Sequence, residues 1–161
     1  MKHIISISTL LLLLVLEGCI FTPPEGYYES YEISAKRLQI LEMAKSYIGT
    51  PYRYGGMGEG GFDCSGFVCY LFKHGLGKKI PRTASAQAEY FYKITKDELQ
   101  KGDLLFFDTS NSGRITHVGL YLGGGKFIHA SSGRRSRCVT ISNLNSRFYR
   151  KAFRWGGRVI Y

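Results

Sequence analysis

The 161-residue sequence predicts an α+β fold, with N-terminal helices packed on a central antiparallel β-sheet. Three observations carry that expectation. Helix signals fill the first half, where Ser34 and Asp63 stand as caps ahead of apolar residues. Short apolar or alternating runs fill the second half, and helices followed by strands form separate layers, unlike the alternation of a parallel sheet. Finally, Gly123-Gly124-Gly125 separates two of those runs closely enough to fold them back on each other as an antiparallel hairpin.

The elements follow in order. Lys2 precedes an apolar run from Ile4 to Leu16. A membrane-spanning helix needs about 20 apolar residues, so this run has the length of a signal-peptide core, and residues 1–18 read as a signal peptide that marks the chain for export. Leu16-Glu17-Gly18-Cys19 resembles the bacterial lipobox, in which the chain is cut before a cysteine that carries diacylglycerol; Cys19 is the lipidation candidate. Glu17 departs from the small residue usual there, which keeps ordinary secretion or a retained anchor as alternatives. Residues 19–33, with Pro23, Pro24 and Gly26, lack periodicity and read as a tether. A folded domain is then expected over 34–161, beginning with a helix capped by Ser34 and striped by Leu38, Leu41, Met43, Ala44, Tyr47 and Ile48 up to Gly49.

Thr50 to Gly56 forms a loop leading to a second helix that starts at Cys64 and ends at Gly75 or Gly77. Pro81 to Gln87 opens a short capped helix reaching about Tyr90. Lys101-Gly102-Asp103 is a turn, and Leu104 to Phe107 has the apolar form of a buried strand. Strands follow over Thr116–Leu122, Lys126–Ala130 and Cys138–Ile141, and a last one within Phe153–Tyr161 closes the sheet.

Composition narrows the function classes. The length suits one domain with a substantial core, and 20 glycines imply many tight turns. A net charge of +10 fits nucleic acid, an anionic membrane surface or an acidic polymer such as a cell wall. The arginines of the last third are accompanied by no nucleic-acid motif, which leaves a solvated basic face and no nucleic-acid partner. Cysteines 19, 64, 69 and 138 form no CxxC pair, so neither a structural zinc site nor any other metal or cofactor is expected. Cys69 reads as a core residue, with a Cys69–Cys138 disulfide as the alternative in an exported protein.

The chemistry centres on Cys64. A thiol at a helix N-terminus faces unpaired N–H groups and the positive end of the helix dipole, both of which favour the thiolate. Taken alone, Cys64 is equally a buried structural cysteine. Two histidines change that reading. In Thr116–Leu122 the apolar Val118, Leu120 and Leu122 share one face, leaving His117 on the other, and His129 lies on one face of the returning strand with Phe127. If the three glycines form the loop, positions 119 and 129 face each other. His117 and His129 are then diagonal neighbours about 7 Å apart, close enough for their rings to bond. A register slip of one residue separates them. Cys64 as nucleophile, His117 as base and His129 as the partner that holds its tautomer permit acyl transfer to water through a thioester, with the Cys64 backbone N–H as an oxyanion donor. An ion pair of Cys64 and His117 implies a bell-shaped pH profile.

Six segments, in order, resemble the NlpC/p-sixty family of papain-like cell-wall peptidases: Gly49 to Gly56, Phe62-Asp63-Cys64-Ser65-Gly66-Phe67-Val68, Pro81-Arg82-Thr83, Lys101 to Phe107, His117 to Leu122, and Phe127-Ile128-His129-Ala130. The resemblance implies a papain-like cysteine peptidase fold, with Cys64 as nucleophile, His117 as base and His129 as the third polar residue. It further implies that the Tyr52 hydroxyl supports the oxyanion, and that Asp63 and Ser65 contact the stem peptide. Tyr54 stands where many members have tryptophan. The implied substrate is peptidoglycan, cut at D-glutamyl or D-alanyl bonds to diaminopimelate, by a monomer held through its lipid on a membrane. With Ile20 after Cys19, that membrane is the outer one, facing the periplasm, in a diderm cell. Two rival readings are a catalytically silent wall-binding lipoprotein on the same fold and a Cys–His amidase or acyltransferase with a substrate outside the wall.

Overall fold

The computed structural model describes residues 27–58, 60–134 and 136–159. It divides the chain into residues 1–31 and 32–161. The signal-peptide, lipobox and most of the tether readings lie outside the described residues, and no helix among those described is long and apolar enough to cross a membrane.

Helix α1 spans Tyr27–Ser46, so it starts seven residues before the Ser34 expected as its cap and takes in the end of the expected tether. Its buried stripe also differs. Ile40, Leu41 and Ala44 lie in the core while Leu38 and Ile48 are exposed. The helical spacing that joins 37, 40, 41 and 44 also turns Arg37 inward, where its guanidinium donates to the Lys101 carbonyl at 2.6 Å and lies 3.5 Å from the buried Asp103. A stripe chosen by hydrophobicity misses such a side chain, because its apolar stem and charged head belong to different environments.

A two-stranded ribbon of β1 (Met57–Gly58) and β2 (Gly61–Phe62) then leads into α2 (Cys64–Leu76). Asp63 caps α2 by accepting from the Gly66 N–H at 2.6 Å, and Gly77 ends it in the left-handed region at φ 65°. Helix α3 (Ala84–Tyr90) starts at the Thr83 cap. The helices precede a six-stranded antiparallel sheet of β3 (Tyr92–Ile94), β4 (Leu104–Phe107), β5 (His117–Gly123), β6 (Lys126–Ala130), β7 (Val139–Asn143) and β8 (Phe153–Arg158), with α4 (Arg147–Ala152) between the last two. The spatial order β3-β8-β4-β5-β6-β7 puts β8 inside the sheet, where it pairs with both β3 and β4. The expected closing strand is therefore internal, and the edge belongs to β3. That strand is only three residues long with two of them exposed, so it carries almost no apolar alternation to recognise.

The sheet has two apolar faces. Leu104, Phe106, Val118, Leu120, Ile128, Ala130 and Val139 pack with α1 and α2, including Phe67, Val68, Leu71 and Phe72. Leu105, Phe107 and Phe127 pack on the opposite side with Leu144 and Ala152. Helix α2 lies across β5 and β6. Its first turn presses directly on the preceding loop: a Cβ placed on Gly66 would overlap the Gly56 carbonyl oxygen and come within 2.9 Å of the Asp63 carboxylate. Backbone that close cannot yield as a side chain can. Gly66→Ala is expected to lower stability by roughly 2–3 kcal/mol or more, read from the midpoint of urea unfolding.

Candidate active site

The β5–β6 hairpin sets the histidines. Gly123 pairs with Lys126, so the loop is the two residues Gly124-Gly125 at φ 58° and 72°, the left-handed pair that a tight hairpin turn requires, rather than all three glycines. A bulge between Tyr121 and Gly123 then shifts the pairing by one residue, to Tyr121 opposite Phe127 and Leu120 opposite Ile128. Continued along the strands, that register puts Gly119 opposite His129, as expected, though it is reached by a shorter turn plus a bulge. His117 is the diagonal neighbour of His129, and the rings meet with His117 Nε2 2.8 Å from His129 Nδ1. They are nearly perpendicular, with centroids 4.9 Å apart.

The chain of contacts continues onto the next strand. His129 lies opposite Thr140 and Phe127 opposite Ser142, so Ser142 is again a diagonal neighbour on the same face. Its Oγ is 3.0 Å from His129 Nε2, and the Tyr149 hydroxyl of α4 approaches the same nitrogen at 3.4 Å. Phe107, Phe127 and Tyr149 wall the pair in. Both histidines are buried, His117 at 8% and His129 at 1% exposure.

Cys64 arrives from the other layer. It begins α2, half-buried, and the backbone amides of Val118, Ser65 and Cys64 itself favour its anion. Val118 follows His117 in β5, so the start of α2 lies toward the His117 end of that strand. Cys64 and His117 line adjoining clefts. Cys64 faces a cleft of about 510 Å³ with Tyr52, Tyr54, Asp63, Ser65, Arg82 and Thr116, whereas His117 and His129 face a smaller one with Thr109, Phe148 and Tyr149. The clefts adjoin where the Thr116 and Thr109 hydroxyls bond at 3.0 Å.

The electrostatics differ from the expected ion pair. Burial pushes the Cys64 thiol up and outweighs the backbone amides that favour its anion. Burial likewise lowers His117 to about 4 and drives His129 well below its usual value, with the neighbouring His117 adding to the effect. Desolvation penalises each charge separately, so the resting pair is neutral thiol and neutral imidazole.

The remaining sequence candidates are also near Cys64. Tyr52 is held by its N–H bond to the Arg137 carbonyl at 2.8 Å, and its hydroxyl is pushed up by burial and by the adjacent Cys64. Asp63 accepts from the Gly66 and Gly55 amides at 2.6 and 2.9 Å and from Arg82 at 2.6 and 3.0 Å. Burial raises that carboxyl, but Arg82 and the amides prevail and hold it below its ordinary value. Arg82 also donates to Ser65 Oγ at 3.0 Å. Cys69 is buried and Cys138 half-buried, and both are free thiols rather than a disulfide.

Residues 49–158 match the sequence model of the NlpC/P60 family. The chain belongs to that family. It is 41% identical over 121 residues to the probable endopeptidase NlpC of Escherichia coli K12, covering 75% of this chain and 76% of that protein. Murein DD-endopeptidase MepS/murein LD-carboxypeptidase of the same organism is 35% identical over 122 residues, covering 76% of this chain and 62% of that one. A crystal structure of an NlpC/P60 family protein from Bacillus cereus superposes with a TM-score of 0.70 at 34% identity, covering 76% of this chain and 39% of the other. The papain-like α+β architecture expected for an NlpC/P60 domain is thus the one present.

Three side chains of this NlpC/P60 site had no role in the sequence reading. Arg82 stands inside a segment used for the resemblance, but its partner Asp63 is 19 residues away. Ser142 and Tyr149 become visible only once β7 is registered against β6 and α4 is present; the same alternation that pairs the histidines selects Ser142.

Burial of neutral histidine makes stability pH-dependent. With its folded pKa at about 4 against 6.5 unfolded, His117 contributes stability that is complete above pH 6.5 and is lost as pH falls through 4. The loss is about 3 kcal/mol between pH 7 and pH 4, with His129 acting in the same direction. Denaturant unfolding at the two pH values measures it, and His117→Asn should reduce it.

Proposed function

We propose that this NlpC/P60 protein is an exported cysteine endopeptidase that hydrolyses the peptides of peptidoglycan, at bonds to diaminopimelate, through a thioester on Cys64. The observation that carries the proposal is the 2.8 Å contact between His117 and His129 on β5 and β6, with Cys64 starting the helix that crosses those strands. The relatives named as an endopeptidase and a murein endopeptidase support the reaction and its substrate.

The contacts assign the protons. His117 uses Nε2 toward His129, which leaves Nδ1 as the nitrogen for the thiol proton. For Nδ1 to be the base, Nε2 must carry the ring proton and donate it to His129 Nδ1. His129 is then protonated at Nε2, which donates to Ser142 Oγ. Proton transfer from Cys64 accompanies attack on the carbonyl, because neither charge is favoured before the substrate arrives. The imidazolium next protonates the departing amine, and water hydrolyses the thioester. The Cys64 N–H and the Tyr52 hydroxyl are the oxyanion donors, and Asp63 and Ser65, braced by Arg82, contact the acyl half of the peptide. Residues 1–18 serve as the signal peptide, Cys19 as the lipid-bearing residue of a monomer, and the stretch after it as a tether from the outer membrane of a diderm cell.

Digestion of purified peptidoglycan, followed by mass spectrometry of the muropeptides, tests the assignment. Cleavage is expected, and Cys64→Ala should abolish it. Unchanged muropeptides with folded protein would instead favour the silent wall-binding reading. Because His117 is unprotonated down to about pH 4, kcat/KM should be level through neutral pH and fall only as pH approaches that value. The bell expected from an ion pair would show an acid limb much closer to neutrality. Ser142→Ala should lower kcat roughly tenfold or more with little change in KM, and Ser142→Thr, which keeps the hydroxyl, should restore much of it.

A further inference from the structure

A third cleft opens beyond the histidine pair. One wall is a face of α4, where Arg147 and Lys151, and likewise Phe148 and Ala152, stand four residues apart. The other wall is the loop after β4, contributing Asp108, Thr109 and Asn111. The cleft encloses about 420 Å³, within the range of small-ligand sites. Thr109 and Phe148 also line the cleft of His117 and His129, so the two are continuous.

Its walls are pinned and its charge is one-sided. The Asp108 N–H donates to the Ala152 carbonyl at 2.9 Å, joining loop to helix. The Asp108 carboxylate, the one acid of the lining, is buried and accepts from the Ser112 and Gly113 amides at 3.0 and 2.8 Å and from Arg154 at 3.1 Å. It organises the loop and is neutralised by Arg154. Arg147 and Lys151 are exposed and stand in no ion pair among the described residues. Phe148, 56% exposed, offers an aromatic surface between them and the histidines.

We infer that this cleft is the subsite for the leaving half of the substrate, and that Arg147 and Lys151 hold a carboxylate on the residue whose amine departs. The inference rests on the proposed roles of Cys64 and His117. The acyl half stays on the sulfur, in the cleft of Tyr52 and Arg82. The amine receives its proton from His117 and must therefore lie on the histidine side, where the histidine cleft continues through Thr109 and Phe148 into the basic one. Two cations beside an aromatic ring suit a carboxylate on an aliphatic stem.

The test measures binding to Cys64→Ala protein, which holds peptide without cutting it. Two probes are compared by calorimetry: alanyl-γ-D-glutamyl-diaminopimelate with the diaminopimelate carboxylates free, and the same tripeptide with both as carboxamides. The free acid should bind roughly tenfold or more tightly. Adding Arg147→Gln and Lys151→Gln should erase that preference. Arg150→Gln, which removes a charge from the same helix at a position that does not line the cleft, should keep it. Equal binding of the two probes, no binding of either, or a preference that survives the double substitution overturns the subsite. None of these readings depends on turnover, so they are separate from the hydrolase assignment, which falls if the unmodified protein leaves peptidoglycan uncut.

Discussion

The register of one hairpin is the constraint on which the site depends. Side chains alternate between the faces of a strand, so a shift of a single residue between β5 and β6 would send one imidazole to the helix-covered face and leave the other behind. The two-residue glycine turn by itself produces the wrong pairing, and the bulge beside Gly123 corrects it. The same parity carries on to β7, which is why the polar chain runs diagonally from His117 through His129 to Ser142 across three neighbouring strands. Around it, Phe107, Phe127 and Tyr149 supply the dry walls that make the position of each proton matter.

Cys64 is positioned by an independent device. Asp63 joins three things with one carboxylate: the first turn of α2, the Gly55 turn of the loop before it, and Arg82 from the segment leading to α3. Gly66 lets the Gly56 carbonyl press against the helix. Cys64 is thereby fixed at the start of α2, the helix that lies across β5, where the Val118 amide favours its anion. Helix and sheet are separate layers, so their contact is a packing problem. It is solved by Phe67, Val68, Leu71 and Phe72 of α2, which pack with Leu104, Phe106, Val118, Leu120 and Ile128 of the sheet.

Electrostatics follow from that packing. A thiol at a helix N-terminus in water would lose its proton more readily, and an imidazole in water would hold one near neutrality. Enclosing both reverses the preference of each, and the site rests uncharged. In the proposed mechanism, proton transfer from Cys64 therefore accompanies attack on a carbonyl that takes up the developing charge. The polar groups that stay charged, Asp63 with Arg82 and Asp108 with Arg154, are paired and act as braces for the two loops flanking the site.

Much of this was legible along the chain because it is encoded locally. Cap, glycine and apolar spacing announced α2, α3, β4 and the β5–β6 hairpin; alternation gave the face of each histidine within its own strand, and a three-glycine loop the register between them, which the structure reaches by a two-residue turn and a bulge. Other features depend on partners distant in sequence and have no local signature. The internal position of β8 follows from its pairing with β3 and β4, and the inward turn of Arg37 from the burial of Asp103. Ser142 owes its contact with His129 to the pairing of β7, and Tyr149 to the docking of α4. Period and propensity are properties of neighbouring residues and can be read from the sequence alone. Desolvation depends on everything packed around a group, so only the tertiary structure decided that Cys64 and His117 rest neutral.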